Sequence, residues 1–511
     1  MPRALISVYD KEGVAELARG LADLGWELVS SGGTAAHLEE VGLVVSRVED
    51  VTGAPEMLGG RVKTLHPRIH GGILARRDRE DDLAALAEQE IEPFDLVCVN
   101  LYPFSSVAGR RDKSERDIVE MIDVGGPSML RAAAKNFAHV AVVSSQAQYG
   151  AVLEELRAQG SVSPETRRRL AGEAFATSAA YEAQIAQWFG DDEPFPSQLT
   201  LTFRKVAELP YGENPHQAAA FYVEPGGRRH LLSRVEQLGG KELSYNNLAA
   251  LEGARRIARE FHEPAAVIVK HANPCGVAVA ETVAQAWERA LAADPVSAFG
   301  CVAVLNRPVT AELGRSIAEH FVEVVLAPGF DGGALEALLE KRALRILADD
   351  ERRADTPGEH DFRRVLGGML IQERDDEAPE REAMKVVCGE VSEEQWRDLL
   401  FAWRVCRHVS SNAIVVARDE QTIGIGAGQM SRVDAVRIAL ENAQRHGHDL
   451  QSAVLASDAF FPFPDGPQLA LDAGIAALIQ PGGSRRDAEV VAAVAESGAA
   501  MVFTGRRHFR H

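Results

Sequence analysis

Short apolar stretches rich in β-branched residues alternate with amphipathic stretches along almost the whole chain. In the first part the apolar stretches are RALISVY, WELVSS, LVCVNLY and HVAVVSS, and amphipathic segments such as VAELARGLADLG and TAAHLEEVG lie between them. This alternation is typical of βαβ units, in which parallel strands form one sheet and helices cover its faces. The pattern therefore predicts an α/β fold that begins with a parallel sheet.

The alternation is interrupted once and then begins again. An acidic, proline-bearing stretch at residues 191–199, DDEPFPSQL, predicts a linker. Beyond it, strands are predicted for AAVIVKH, CVAVLN, EVVLAP and LRILA, followed by a charged, loop-prone stretch and then by SNAIVVAR, TIGIGAG, SAVLASD, AALIQPG and MVFTG. No fixed-period repeat is visible, but the second part has the pattern of two α/β lobes of similar build.

Charge and cysteine content narrow the classes of partner. The chain has 55 basic and 75 acidic residues, a formal net charge of -20, which disfavours binding to nucleic acid or to acidic membranes. A small anionic substrate would need basic residues gathered locally. The five cysteines are scattered and odd in number, which favours free thiols in a reducing compartment. With neither a membrane-spanning run nor a signal-peptide pattern, the sequence predicts a cytoplasmic protein.

Two glycine-bearing segments of the first part are candidates for binding an anion. Ser31–Thr34 lies between a predicted strand and a predicted helix, where free N–H groups can face a phosphate. The alternative is an ordinary turn with Thr34 as helix N-cap. Residues 59–72, GGRVKTLHPRIHGG, have a sequence that favours neither a helix nor a strand. They are predicted to form a loop in which Arg61 and Lys63 could bind a phosphate.

Two further sets of polar residues are predicted to lie at the same edge of the first sheet. Asn100 and Tyr102 follow the strand LVCV, and Asp123 precedes a helix that carries Lys135. Ligands of open α/β sheets bind outside the carboxyl ends of the strands. We therefore predict that Lys63, Tyr102, Asp123 and Lys135 converge on one pocket and transfer protons there. A rim position for Tyr102 and a capping role for Asp123 are the structural alternatives.

The stretch 265–279, AAVIVKHANPCGVAV, places Lys270 and His271 where a buried strand ends. A zinc deaminase site is excluded because Cys275 has no second cysteine three positions on. A cysteine–histidine nucleophile is disfavoured because Pro274 prevents a helix from aligning the two side chains. An acid/base pair remains, with histidine as a base near neutral pH, beside the alternative of a structural histidine. The local sequence does not decide between these two.

Several glycine-rich or polar segments accompany this pair in the second part. They are YGENPHQ, GKELSYNN, SAFG, GIGAGQMSR and SDAFFPF, and phenylalanines beside proline and glycine suggest a groove for a flat aromatic ligand. Together with the SVYDKEG start and RVKTLHPRIHGGILAR, these segments resemble, in order and over essentially the whole length, the bifunctional AICAR transformylase/IMP cyclohydrolase family.

The resemblance implies a fold and two reactions. A methylglyoxal-synthase-like domain, residues 1–195, would close formyl-AICAR to IMP. A cytidine-deaminase-like part, residues 200–511 in two lobes of approximately 200–365 and 366–511, would transfer formyl from 10-formyltetrahydrofolate to AICAR without metal. It also implies a homodimer with shared transformylase sites. Two alternative hypotheses for the function are a non-catalytic nucleotide-binding module and a methylglyoxal-synthase-type lyase fused to an unrelated partner.

The family's functional residues are expected at matching positions of this chain. His271 would accept the proton and Lys270 would stabilise the transition state, while Lys63, Tyr102, Asp123 and Lys135 would be the cyclohydrolase catalytic group. One departure is Pro210, where the family usually has a phosphate-binding arginine. The expected contacts with the cyclohydrolase nucleotide are Asp10, Lys11, Ser31, Gly32, Gly33, Thr34, Arg61, Thr64 and Asn100. The expected contacts with AICAR are Tyr211, Gly300, Glu323, Asn412, Phe460 and Arg507. The expected contacts with folate are Arg432, Ser484 and Arg485.

Overall fold

The computed structural model describes residues 1–110, 112–190, 193–223, 235–350, 360–377 and 380–511. The chain divides into two compact units, one formed by Met1–Arg204 with Val223 and the other by Lys205–Tyr222 with the described residues from 235 onward. Of the predicted linker, residues 191 and 192 lie outside the described residues, and 193–199 form neither helix nor strand. Within the described ranges, no helix is long and apolar enough to cross a membrane.

The first unit contains one five-stranded parallel sheet in the order β3-β2-β1-β4-β5. Its strands are β1 (Arg3–Ser7), β2 (Glu27–Ser30), β3 (Ser46–Arg47), β4 (Leu96–Val99) and β5 (Ala141–Val143). Its helices are α1 (Val14–Asp23), α2 (Gly32–Glu40), α3 (Val48–Thr52), α4 (Pro67–Leu74), α5 (Glu80–Glu88), α6 (Phe104–Ala108), α7 (Glu115–Val119), α8 (Gly125–Lys135), α9 (Tyr149–Gln159) and α10 (Pro164–Phe189).

The hydrophobic pattern explains this sheet. The central strand β1 is buried along Arg3–Ile6 because helices cover both of its faces, as expected for a parallel sheet. The four strands predicted in this part are all present, and the parallel α/β prediction is confirmed. The prediction of a loop over residues 59–72 is wrong in its second half. There α4 begins at Pro67, and the His66 ring accepts a hydrogen bond from the Arg68 N–H at 3.2 Å as its N-cap.

Among the described residues, sixteen strands and eight helices lie in the second unit, apart from Arg204 and Val223 at the ends of two of the strands. The strands are β6 (Arg204–Leu209), β7 (Ala219–Val223), β8 (Glu236–Gly239), β9 (Ala265–Lys270), β10 (Asn273–Val279), β11 (Cys301–Leu305), β12 (Val322–Ala327), β13 (Arg345–Ala348), β14 (His360–Val365), β15 (Gly368–Glu373), β16 (Lys385–Cys388), β17 (Ile414–Arg418), β18 (Gln421–Gly426), β19 (Val454–Ser457), β20 (Ala477–Gln480) and β21 (Ala500–Phe503). The helices are α11 (Tyr245–Arg259), α12 (Val283–Ala293), α13 (Ala311–Glu319), α14 (Gly332–Leu339), α15 (Glu393–Cys406), α16 (Arg432–Arg445), α17 (Asp465–Asp472) and α18 (Asp487–Glu496).

Twelve of these strands form one continuous mixed sheet. Its order is β16-β21-β20-β19-β17-β18-β10-β9-β11-β12-β13-β8, so two halves of six strands meet where β10 pairs with β18. Helices α11 and α15 pack on one face, and the other six helices of the unit contribute to the cores on the opposite face. Each half has the same succession of strands and helices.

The sequence pattern missed the exposed strands of this unit. The hairpins β6–β7 and β14–β15 and the edge strands β8 and β16 have few buried residues, so no apolar run marks them. The hairpin β14–β15 lies in the stretch predicted to be a charged loop, of which residues 351–359 and 378–379 lie outside the described residues. Alternation alone does not reveal a strand that has no buried face.

Candidate active sites

The first candidate site lies at the carboxyl edge of the five-stranded sheet. The loop after β1 is held by two side chains from neighbouring strand ends. Thr34 Oγ1 accepts the Val8 N–H at 3.2 Å, and Asn100 Oδ1 accepts the N–H of Asp10 at 3.1 Å while its Nδ2 donates to Asp10 O at 2.9 Å. The helix N-cap here is Ser31, not Thr34. Asn100 and Thr34 therefore shape the loop on which a ligand would lie.

Two lysines converge beside the start of α2. A Cβ built on Gly32 would lie 2.5 Å from Lys63 Nζ, so the ammonium sits directly over this glycine, whose φ is +49°. Lys11 Nζ lies 3.0 Å from Thr34 Oγ1, and burial, with a smaller contribution from Lys63, lowers the pKa of Lys11 against the opposing effect of Asp10. Two ammonium groups at the N-terminus of a nine-residue helix form a site suited to a phosphate.

Tyr102 and Asp123 supply titratable groups at the same edge. Burial raises the pKa of Tyr102, and Asp123 raises it further. Burial also raises the pKa of the Asp123 carboxyl, although the N–H of Gly126, 2.9 Å from Oδ1, favours the ionised form. A Cβ on Gly126 would lie 2.3 Å from Asp123 Oδ2, so a side chain at that position would displace the carboxylate. A carboxyl with a raised pKa beside a phenol is suited to proton transfer.

Two residues that the sequence did not suggest support this pair. The Tyr181 hydroxyl accepts the Asp123 N–H at 2.7 Å and donates to Met121 O at 3.1 Å, which fixes the approach to α8. The Tyr9 ring lies 5.1 Å from the Tyr102 ring, centroid to centroid. Tyr181 lies in the middle of a long helix, where the local sequence gives no indication of a role at a distant strand end.

Lys135 and Arg61 lie differently from the prediction. Lys135 is the last residue of α8, whereas Asp123 precedes the first, and a helix of this length separates its ends by about 15 Å. The chain alone therefore does not bring Lys135 to the other three predicted catalytic residues. Arg61 pairs with Glu120 on the surface, while Thr64 Oγ1 lies 2.8 Å from a Cβ built on Gly125, close to Asp123.

The second candidate site lies at one edge of the twelve-stranded sheet. The strand pairings bring the end of β9 beside the starts of β11, β12 and β17, and the ends of β19, β20 and β21 reach the same edge. The predicted residues Gly300, Glu323, Asn412, Phe460, Ser484, Arg485 and Arg507 flank these strand ends. Tyr211 belongs to a segment that α11 contacts, because Asn246 Nδ2 donates to Glu213 O at 3.2 Å.

Lys270 is held at this edge by main-chain oxygens. Its Nζ donates to Phe299 O at 2.9 Å and to Gly300 O at 2.8 Å, which leaves one of its three donor positions for a ligand. Gly300 has a φ of +68°, and a Cβ there would lie 3.1 Å from both Lys270 Nζ and Phe321 Cε1. The position therefore requires glycine for the backbone angle and for the space.

His271 and Ala272 form the two-residue turn between β9 and β10. Both have left-handed backbones, with φ of 51° and 62°, which costs about 1–2 kcal/mol per non-glycine residue. Such turns favour Asn-Gly, so His271 and Ala272 hold a backbone conformation that is unfavourable for both residue types. Asn273 Oδ1 secures the turn by accepting the Ser410 N–H at 2.9 Å. As predicted, the strand ends at Lys270, which frees the exposed His271 from strand geometry.

A cavity of 270 Å³ opens beside this turn. Burial raises the pKa of the Cys275 thiol, which faces the cavity and donates to Ile268 O at 3.5 Å. A thiol held protonated is a poor nucleophile, so the structure agrees with the sequence argument against a cysteine nucleophile. The cavity is lined by Lys270, His271, Asn273, Pro274, Cys275, Ala293, Asp294, Ser297, Gly424, Ile425, Ala427 and Asn442. Among the described residues, no group of three or more His, Cys, Asp or Glu side chains could hold a metal ion.

Arg432 does not lie as a folate contact would require. It is 8% exposed, and its Nη1 donates to Ser457 Oγ at 2.8 Å and to the fully buried Asp458. Its Nη2 donates to Asn412 Oδ1 at 2.7 Å, and Asn412 Nδ2 donates in turn to Gln429 O at 2.8 Å. The guanidinium thus forms its hydrogen bonds with groups inside the protein, and it orients the side chain of Asn412.

Four other predicted substrate-binding residues of this site are less buried than Arg432. Arg507 is exposed with its guanidinium 4.7 Å from the Phe509 ring centroid, and Arg485 is exposed as well. Ser484 Oγ accepts the Arg486 N–H at 3.1 Å, and Glu323 Oε2 accepts from Asn247 Nδ2 at 3.2 Å.

Comparison with known proteins identifies the family. A model described as "AICARFT/IMPCHase bienzyme" matches residues 133–442, and one described as "MGS-like domain" matches residues 13–128. The chain belongs to the AICARFT/IMPCHase bienzyme family. It is similar to proteins named "Bifunctional purine biosynthesis protein PurH" from Halalkalibacterium halodurans, 49% identical over 515 residues, Acidithiobacillus ferrooxidans, 50% over 517, and Lacticaseibacillus casei, 49% over 514. In each case the match covers 100% of this chain and at least 99% of the relative.

Proposed function

We propose that this chain performs the last two steps of IMP synthesis, in separate units. The observation that carries the proposal is that each unit has one sheet edge with its own set of titratable groups, in a chain that belongs to a bienzyme family over its whole length. Residues 1–195 form the cyclohydrolase domain, and residues 200–511 form the transformylase part with lobes of about 200–365 and 366–511. The MGS-like match within residues 13–128 supports the first assignment.

At the second edge, formyl is transferred from 10-formyltetrahydrofolate to the 5-amino group of AICAR. The amine nitrogen attacks the formyl carbon and a C–N bond forms, while His271 accepts the proton that the amine loses. The formyl oxygen becomes an oxyanion near Lys270, whose third donor position is available to it. The bond from the carbon to N10 then breaks, and N10 takes up a proton. The amine is a weak nucleophile because a carboxamide adjoins it, so removing its proton during attack assists the reaction.

At the first edge, the carboxamide nitrogen of formyl-AICAR attacks the formyl carbon and the ring closes with loss of water. Lys63 and Lys11 hold the nucleotide near the start of α2 and face developing negative charge. Asp123 and Tyr102 move the protons from the nitrogen to the departing oxygen. The raised pKa of Asp123 brings its carboxyl closer to neutral pH, where it can exchange a proton, and the raised pKa of Tyr102 favours the protonated phenol, which can donate one. No step of ring closure is assigned to Lys135, because within one chain it lies at the far end of α8 from Asp123.

The partners follow from the same assignment. The folate cosubstrate and the nucleotides are small anions, and the net charge of -20 is consistent with basic groups being gathered only at the sites. The protein works in the cytoplasm as a homodimer with shared transformylase sites. The exposed apolar side chains of the β14–β15 hairpin, including Leu366, Met369 and Leu370, support self-association. Sedimentation at several protein concentrations tests the dimer.

One experiment separates the two activities. Wild-type protein incubated with AICAR and 10-formyltetrahydrofolate is expected to produce tetrahydrofolate and IMP. His271→Ala should lose formyl transfer but still close supplied formyl-AICAR, and Lys63→Ala should do the reverse. If wild type formed neither product, the assignment would fail, and methylglyoxal formation or nucleotide binding without turnover would support the rival readings.

A further inference from the structure

The two halves of the twelve-stranded sheet are structural repeats. The elements β8, α11, β9, β10 and α12 of the first half follow the same order as β16, α15, β17, β18 and α16 of the second. The N-cap residues Ser244 and Ser392 correspond, as do the strand-end residues Lys270 and Arg418, and both pairs are separated by the same number of residues. The two halves can therefore be compared position by position from the start of the first helix to the hairpin.

The hairpin turn of the second repeat holds a carboxylate. Asp419 and Glu420 have left-handed backbones, with φ of 53° and 55°, like the two turn residues of the first repeat. Their N–H groups donate to the two oxygens of the Asp398 side chain on α15, at 2.9 and 2.7 Å. Two successive N–H groups in this conformation are thus able to bind a carboxylate-like group in this fold.

The corresponding carboxylate is missing from the first repeat. Ala250 on α11 takes the position of Asp398. The same helix passes beside the turn, because a Cβ on Gly253, one helical step further along the same face, would lie 3.3 Å from Ala272 O. Within the described part of the chain, no protein group accepts a hydrogen bond from the N–H of His271 or Ala272. This turn therefore keeps two donors that its counterpart uses internally.

Two cationic side chains lie beside the turn that carries these free donors. Lys270 adjoins the turn on the β9 side, held by the carbonyls that leave one of its donor positions open. On the other side, Arg510 Nη1 donates to His408 O and lies 3.5 Å from Ala272 O. An electron-rich oxygen at the turn would therefore meet N–H groups and cationic side chains together.

We propose that the main-chain N–H groups of His271 and Ala272 bind an electron-rich substrate oxygen during formyl transfer. Ala250 is a specificity residue for this site, because its methyl group offers no acceptor to the turn N–H groups, whereas Asp398 occupies both of them in the second repeat. The inference rests on the proposed transformylase function. Two substrate oxygens share the required chemistry: the formyl oxygen, which becomes an oxyanion, and the carboxamide oxygen of AICAR.

Replacing Ala272 by lactic acid through nonsense suppression tests the donor directly, because this ester keeps the side chain and removes only the N–H. If the turn binds the formyl oxygen, kcat for formyl transfer falls about 100-fold at unchanged KM. If it binds the carboxamide oxygen, the KM for AICAR rises instead. Unchanged kcat and KM would overturn the proposal. Closure of supplied formyl-AICAR, which occurs in the other unit, should stay at the wild-type rate and reports folding.

Ala250→Asp supplies a second test by copying the other repeat. The new carboxylate should occupy the turn N–H groups and abolish formyl transfer, whereas Ala250→Ser, whose side chain is too short to span both N–H groups, should retain most of it. Asp398→Ala is the matched control, expected to weaken the second hairpin without changing kcat. Full activity in Ala250→Asp would contradict the proposal. An inactive wild type would instead refute the transformylase assignment itself, so the two failures are distinguishable.

Discussion

Replacing Arg432 distinguishes a folate contact from an internal support of the transformylase edge. The guanidinium is 8% exposed and Asp458 is 0% exposed, so Arg432→Ala would leave a carboxylate buried without its cation. The only other side chain that donates to it among the described residues is Ser411, through its hydroxyl. Removing one partner of a buried ion pair costs about 3–5 kcal/mol. The variant should therefore lose that much stability in the second unit.

Hydrogen exchange is a suitable measurement because the chain has two units and global unfolding need not be two-state. The amides of β17 and β19, which flank the ion pair, should exchange at least about a hundredfold faster in Arg432→Ala, while those of β1 and β4 in the first unit should not change. Formyl-transfer kcat should fall because Asn412 loses the donor that orients its amide.

The double variant Arg432→Met with Asp458→Asn is the matched control. It removes both charges and retains most of the volume, so its stability should return to within about 1 kcal/mol of wild type. The reasoning would be refuted if Arg432→Ala kept wild-type exchange rates while the KM for 10-formyltetrahydrofolate rose. That result would restore the prediction that Arg432 contacts folate.

Three further predictions concern individual residues. Asp123→Asn should abolish ring closure. It should also raise stability in urea unfolding by an amount that grows as pH rises through the pKa of Asp123, because burial raises that pKa and the ionised carboxylate therefore destabilises the fold; a stability difference that is the same at all pH values would contradict this. Lys135→Ala should retain ring closure within about threefold while Lys63→Ala loses it at least about 100-fold, and equal losses would show that another chain delivers Lys135 to the site. Pro210→Arg should lower the KM for AICAR about tenfold by adding a phosphate donor, so an unchanged KM would argue against a missing ligand.

The sequence predicted the buried part of the fold well because burial leaves a pattern. Strands such as Ala265–Lys270 are buried on both faces and appear as continuous apolar runs. The hairpin His360–Glu373 has no buried face, and its charged and apolar residues resemble a loop. The helix that begins at Pro67 was missed because glycine pairs and basic residues outweighed the proline and the His66 cap that mark a helix start.

The candidate sites were predictable to the extent that strand ends are. Tyr102, Lys270 and His271 lie at the ends of strands whose positions the pattern gives. Lys63 and Asp123 lie in segments between helices, where the positions of the strands alone do not place them. The hydrogen-bond and ion-pair partners of individual side chains were not predictable in this way. Arg432 has the same sequence context whether it faces solvent or Asp458, and only the fold shows that the carboxylate is buried beneath it.

The internal repeat explains why only one edge of the large sheet carries the proposed formyl transfer. Duplicating the lobe produces two hairpin turns with the same left-handed backbone, but chemistry at such a turn requires free donors and a suitable side chain. In the second repeat, Asp398 neutralises the donors of Asp419 and Glu420 and fixes them as structure. In the first repeat, Ala250 leaves the donors free beside histidine and lysine. A change from a carboxylate to a methyl group under the turn is thus sufficient, on this argument, to separate a structural hairpin from a catalytic one.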